Sequence, residues 1–188
     1  MKKVLAMAIV AFISYSSYAQ ESSALFENGT NVVNLGVGLG DVYWGSGYSG
    51  VPVSFNASFD RGVTDKLGIG YIGAGGIIGY SARTYKSGGY EWKNSALLIG
   101  ARATYHFALN GDIAEKLDPY AGVVLGYVIT SSSSNTPSGY SYSYGKSSSV
   151  GAGAFAGAHY YFSPNFGAFA EVGYNVISIL NTGLTVKF

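Results

Sequence analysis

The sequence contains no cysteine. That excludes a disulfide framework, thiolate chemistry and a cysteine-linked lipid anchor. Charge is scarce: Asp, Glu, Lys and Arg make up 11% of the 188 residues, against about 25% in a typical soluble domain. The formal net charge is +1, so the basic excess that grips a nucleic-acid backbone is missing and no nucleic-acid partner is expected. No helix-period pattern is sustained beyond a short turn near Gly111 to Lys116, and long-helix composition is absent. What fills the space is 28 Gly, 17 Tyr and 10 Phe, with aromatics at 15%. Disordered chains carry fewer aromatics and more charge, and one domain is expected at this length.

Lys2 and Lys3 precede the apolar run Val4 to Ile13, and Ser17-Tyr18-Ala19 supplies small residues in an A-x-A-like arrangement. This is the plan of a secretory signal peptide over 1–19, cut after Ala19, leaving a single mature domain over 20–188. Ten apolar residues are too few to cross a bilayer core of about 30 Å as a helix. The mature chain keeps 9 of the 11 basic residues against 10 acidic ones. It also lacks any run of about 18 apolar residues, so the exported protein is either soluble or a barrel.

Strict alternation decides between them. Val51 to Phe59 and Leu184 to Phe188 alternate apolar with polar or turn-type residues, the period-2 mark of strands with two unlike faces. Phe166, Ala168, Ala170, Val172, Tyr174 and Val176 share one face, and Leu97, Ile99, Ala101, Ala103, Tyr105 and Phe107 another. Eight segments are read in this way: 31–44, 51–61, 67–83, 92–107, 118–130, 148–162, 166–178 and 180–188. The Gly-rich stretch Gly68 to Gly79 permits either face assignment and is a place for a bulge. Compact connectors alternate with longer ones, of which Ser131 to Ser147 is the most extended. The expected fold is an all-β, eight-stranded, antiparallel up-and-down transmembrane β-barrel.

Aromatics fall into two sets. Phe59, Tyr105, Phe107, Tyr160, Phe162, Phe166 and Phe188 mark the short-turn end. Tyr43, Trp44, Tyr80, Tyr85, Tyr90, Trp92, Tyr127 and Tyr174 mark the loop end. Two such girdles suit two membrane interfaces. A soluble sandwich or lipocalin-like barrel would carry charge on its second face, but here that face is Gly, Ser, Thr and Asn, which suits a narrow filled lumen. Most charges, Asp118 among them, fall in connectors or at strand ends. Arg102 and Glu171 have lumen parity at similar heights, so they are expected to form an interior ion pair that plugs the barrel, unless lumen water or other partners serve each one.

The end of the chain, Phe166 to Asn175 followed by Leu180 to Phe188, resembles small outer-membrane β-barrel proteins of the OmpX and OmpA transmembrane-domain type. The resemblance implies a Gram-negative outer-membrane location, a wall in contact with lipid and lipopolysaccharide, and an assembly signal read by the barrel-insertion machinery. That signal would comprise Phe188 with Val186, Leu184 and Tyr174. No cell-wall-binding role is implied.

Catalysis is not expected. Acyl chemistry needs a base near a nucleophile, whereas His106 and His159 lie at the short-turn rim and the serines at the other end. Two His without Cys give no spaced ligand cluster, so neither metal nor cofactor is expected. Gly36 to Gly40 and Gly73 to Gly76 lack a phosphate loop's context. Tyr140, Tyr142 and Tyr144 alternate with Ser in Ser131 to Ser147, a composition suited to adaptable contact with an extracellular partner. The same segment also reads as a solvated loop or an extension of strands 5 and 6. The resulting expectation is a monomeric barrel with a filled lumen and a structural or surface-interaction role, of adhesion or defence type. A narrow conduit or binder for a small or hydrophobic solute stands second, and a lipid A-modifying enzyme third.

Overall fold

The computed structural model describes residues 24–40, 53–135 and 141–188. The expected signal peptide over 1–19, Tyr43, Trp44 and Tyr140 lie outside the described residues. The strands are β1 (Asn31–Leu39), β2 (Val53–Gly62), β3 (Gly70–Ser87), β4 (Tyr90–Phe107), β5 (Leu117–Asn135), β6 (Ser141–Tyr161), β7 (Phe166–Tyr174) and β8 (Leu180–Lys187). Each pairs with its sequence neighbours, and β8 returns to β1, giving a closed barrel in the order β1 to β8. Closure leaves no strand edge to be satisfied by lipid, which is the condition for spanning a bilayer with strands. The exchange of backbone hydrogen bonds between Asn31 and Phe188, 2.9 Å each way, extends the closing seam to the last residue.

Period 2 governs exposure throughout. On β4, Leu98 is fully buried while Ile99 is 53% exposed; on β6, Val150 is 71% exposed while Phe155 and His159 are buried. The exposed face carries Leu35, Phe55, Ile78, Val123, Leu125, Val172 and Leu184, a belt that only lipid would solvate well.

Two expectations need correction, and a choice left open is decided. The Gly-rich part of β3 pairs with β2 and β4 without a break; the one shift of register among the described pairs lies between Ser131 and Ser133 on β5. Of the two readings of segment 131–147, the extension of strands 5 and 6 holds, since β5 runs to Asn135 and β6 starts at Ser141. And β7 ends at Tyr174, not 178. Asn175 to Ser178 turn into the barrel mouth and are buried. Val176, assigned to the outer face by parity, is therefore inside, held at φ 60°.

The lumen is filled in tiers. Towards the loop end Val176 and Ile177 join Ile77, Ala96, Leu98, Val124, Val128, Tyr120 and Phe155 in one apolar cluster. Glycine makes room for it: a Cβ at Gly79 would come within 2.6 Å of Ile177, and one at Gly151 within 2.7 Å of Val176. The lower tier is polar, with Asn34, Ser58, Asp60, Arg102, Thr104, His106, Asp118, His159, Glu171 and Thr185 all buried. Residues 24–30 cross the short-turn end, and the Phe26 ring stacks on His106 with centroids 3.6 Å apart.

Candidate functional site: the charged lumen and the outer sheet

Arg102 on β4 centres the first charged group. Its Nη2 donates to Glu171 Oε1 at 2.8 Å, and its Nε lies 3.0 Å from Asp60 Oδ1. The second contact is an ion pair without hydrogen-bond alignment. The guanidinium also sits 4.6 Å from the Phe155 ring centroid. Glu171 is well supplied, because Tyr120 Oη donates to Oε1 at 2.9 Å and Asn175 Nδ2 to Oε2 at 3.1 Å. The register explains the Asp60 contact: Asp60, Gly75 and Arg102 lie in one row across β2, β3 and β4. With no side chain at Gly75, the two charges meet over the strand between them. Asp60 had a sequence signal, the inward parity next to Phe59, but its place near a strand end disguised it.

The second group is built by β4, β5 and β6. Asp118 pairs directly with His159 across β5 and β6, and His106 reaches it diagonally from β4. His106 Nδ1 is 2.9 Å and His159 Nδ1 3.0 Å from Asp118 Oδ2. The outer nitrogens have partners too: His106 Nε2 lies 3.1 Å from Thr104 Oγ1, and His159 Nε2 lies 3.2 Å from Asn34 Oδ1. Asp118 is thus an inward, buried member of the lumen although it stands at a strand end. Both imidazoles stand near the short-turn end, as expected, but they point into the lumen and are at most 1% exposed. The sequence pattern did not assemble this group because its members are 12 and 41 residues apart, and only register joins them.

Thr104, His106 and Asp118 have the connectivity of a nucleophile, base and orienting acid. All three are buried, and the void against His106 and Asp118 measures about 10 Å³, roughly one water. No acyl chain fits there.

Of the residues of the expected assembly signal, Leu184 and Tyr174 are exposed on the outer wall, while Val186 pairs with Phe166 at the short-turn rim. Tyr174 lies at the opposite end of β7 from Phe166. The short-turn rim carries aromatic contacts between Tyr105 and Phe107 (5.2 Å) and between Phe162 and Phe166 (5.5 Å). At the loop end Tyr80, Tyr127 and Tyr174 are exposed.

Further out, Trp92 packs against Tyr85 at 5.5 Å and Tyr90 at 5.7 Å. These lie on a projection made by strand length. β3 to β6 have 18, 18, 19 and 21 residues, against 9 and 8 for β7 and β8 and, among the described residues, 9 and 10 for β1 and β2. A tilted strand needs only about 9–11 residues to span, so the middle four continue roughly 20 Å outward at the usual rise and tilt. The β3–β4 turn is Gly88-Gly89, both with positive φ, the signature of a tight hairpin. On β4 the hydrogen bond from Lys86 holds the half-buried Glu91 carboxyl below the usual carboxylate range. Tyr142 and Tyr144 belong to β6, and Gly145 to Val150 are exposed on it.

The fold is shared with solved outer-membrane barrels. Ail, the attachment invasion locus protein of Yersinia pestis in complex with the heparin analogue sucrose octasulfate, aligns with a TM-score of 0.53 at 15% identity, over 86% of this chain and 99% of that one. The N-terminal β-barrel domain of Pseudomonas aeruginosa OprF gives 0.48 at 18% identity, over 86% and 98%. Neisserial surface protein A gives 0.42 at 17%, over 84% and 92%. No curated protein matches the chain. The model of the Opacity family porin protein matches residues 69–187, more than half the sequence, and the chain accordingly belongs to this family of outer-membrane β-barrel proteins.

Proposed function

We propose that this barrel is a sealed, non-catalytic scaffold that holds a surface-interaction sheet above the outer membrane. The observation that carries the reading is the doubled length of β3 to β6. A barrel that served only as wall or conduit would need no more than the span. The filled lumen supports the same reading against a solute path, and the separation of the outer serines from the buried imidazoles supports it against lipid A chemistry. In this reading lipid and lipopolysaccharide surround a monomeric wall, and the C-terminal strand ending in Phe188 is the segment read by the insertion machinery. Tyr140, Tyr142 and Tyr144, with the flanking serines, supply adaptable contacts to an extracellular partner. Ail's sulfated ligand makes heparin a sensible member of the panel of surfaces to test.

The test is to replace residues 131–147 by a two-residue turn and express both forms in cells that lack other adhesins. Heat-modifiable migration on gels establishes that both barrels fold. Adhesion to matrix proteins and to immobilised heparin should be conferred by the full chain and fall at least about tenfold with the shortened one, the scale expected when a contact centre is lost. Equal adhesion by both forms would remove the sheet from the function.

A further inference from the structure

His106, Asp118 and His159 form a buried group that a surface-interaction role does not require. One nitrogen of each imidazole and a carboxylate oxygen lie within 4.8 Å of one another. Two of the three separations are 2.9 and 3.0 Å. Ligand atoms about 2.0–2.1 Å from a tetrahedral zinc stand roughly 3.3 Å apart, so the carboxylate contacts need to open by a few tenths of an ångström and the two imidazoles, within 4.8 Å of each other, to close by up to about 1.5 Å to centre an ion.

The surroundings point the same way. Metal-bound imidazoles donate their remaining N–H to an oxygen that fixes ring orientation. Here both outer nitrogens face such an oxygen, Thr104 Oγ1 for His106 and Asn34 Oδ1 for His159. Asn34 is itself oriented, because its Nδ2 donates to Ser58 Oγ at 3.3 Å. His159 therefore faces an oxygen at each nitrogen. The wider charge balance agrees. Asp60 from β2, Asp118 from β5 and Glu171 from β7 stand against Arg83 from β3 and Arg102 from β4, and Lys187 at the rim faces both Asp118 and Glu27. With neutral imidazoles the three buried carboxylates outnumber the buried guanidinium groups of Arg83 and Arg102 by one, a balance that favours a cation here.

We propose that His106 Nδ1, His159 Nδ1 and Asp118 Oδ2 bind one divalent first-row transition ion, zinc foremost, inside the barrel. Each imidazole then takes its Nε2–H tautomer, with Thr104 and Asn34 accepting. Two imidazoles and one carboxylate suit zinc, nickel or copper and not magnesium or calcium, which prefer oxygen shells. The ion ties β4, β5 and β6 together at the height where Phe26 closes the lumen.

The untagged mature chain is refolded into detergent micelles with zinc chloride, magnesium chloride or neither, then gel-filtered and analysed by mass spectrometry of the elements. One zinc per folded barrel is expected, with no retained magnesium. Asn34→Leu should keep heat-modifiable migration and weaken retention about 10- to 100-fold, the usual effect of losing a partner behind a ligand; His159→Gln should abolish it. Should His159→Gln not fold, the wild type decides: its cobalt form must show tetrahedral d–d absorption and imidazole scattering in X-ray absorption spectra. Clearly less than one zinc per barrel, zinc binding unchanged in a folded His159→Gln, or a cobalt form without imidazole ligands would overturn the site and leave an imidazolium–carboxylate cluster in its place.

Discussion

At the residue scale, the barrel's unusual feature is how unequally its buried charges are satisfied. Glu171 receives hydrogen bonds from Arg102, Tyr120 and Asn175, whereas Asp60 has the Arg102 ion pair and no aligned hydrogen bond. Removing the shared cation should therefore hurt chiefly through Asp60. Arg102→Met is expected to cost about 3–5 kcal/mol, the usual penalty for breaking a buried pair from one side. Adding Asp60→Asn should recover part of that, because the stranded carboxylate is gone. Glu171→Gln keeps an acceptor for Tyr120 and should cost less than Arg102→Met. Urea midpoints in micelles, read by the shift from folded to unfolded gel migration, rank the three. If Arg102→Met lost less than about 1 kcal/mol, the charges would have to be solvated, as exposed pairs are.

At the element scale, the turn between β7 and β8 does what a side chain cannot: it carries Val176 and Ile177 into the mouth of the barrel. Val176 adopts φ 60°, a conformation that costs a β-branched residue roughly 1–3 kcal/mol, so burial of the turn must outweigh that strain. Gly79→Val would drive a side chain into Ile177, which stands 2.6 Å from the position of a Cβ. It should destabilise the barrel by about 1–3 kcal/mol through overpacking, and amide exchange at 175–179 should quicken while exchange in β4 and β5 holds. Uniform quickening would show that the turn is not a separate unit. The eight strands were legible, and the faces of all but the Gly-rich half of β3, because period 2 is written into them. The turn was not, because Val176 and Ser178 continue the parity of β7 and no Gly or Asn marks the positive φ. The lengths of β5 and β6 were left open: a run of serines reads as loop or as sheet, and only pairing of Ser131 to Asn135 with Ser141 to Lys146 decides for sheet. Within the lumen, the Arg102–Glu171 contact could be reached by counting from the rim on two strands. The His106, Asp118 and His159 group needed the relative register of three strands, which no single segment encodes.

At the scale of the whole molecule, the apolar mouth and the polar network close the same passage at two heights, and they share few residues. Tyr120 and Phe155 touch both, but Val176 and Ile177 belong to the mouth alone, and Asp60 and Arg102 to the network. Two obstructions in series make a specific prediction about conductance. The wild type should show no sizeable single-channel steps in a planar bilayer. A barrel with Val176→Gly and Ile177→Gly opens the mouth but leaves Arg102 bridging from β2 to β7 across the lumen. One with Arg102→Ala loses the bridge but keeps the apolar cluster, through which ions pass poorly for want of solvation. Neither alone should conduct steadily. The triple variant, if it retains heat-modifiable migration, should, because water can then run the length of an eight-stranded lumen that is otherwise just wide enough for side chains. Steps of similar size from the wild type, or from either parent variant, would mean that the obstructions move together as one gate, and the barrel would have to be read as a conduit after all.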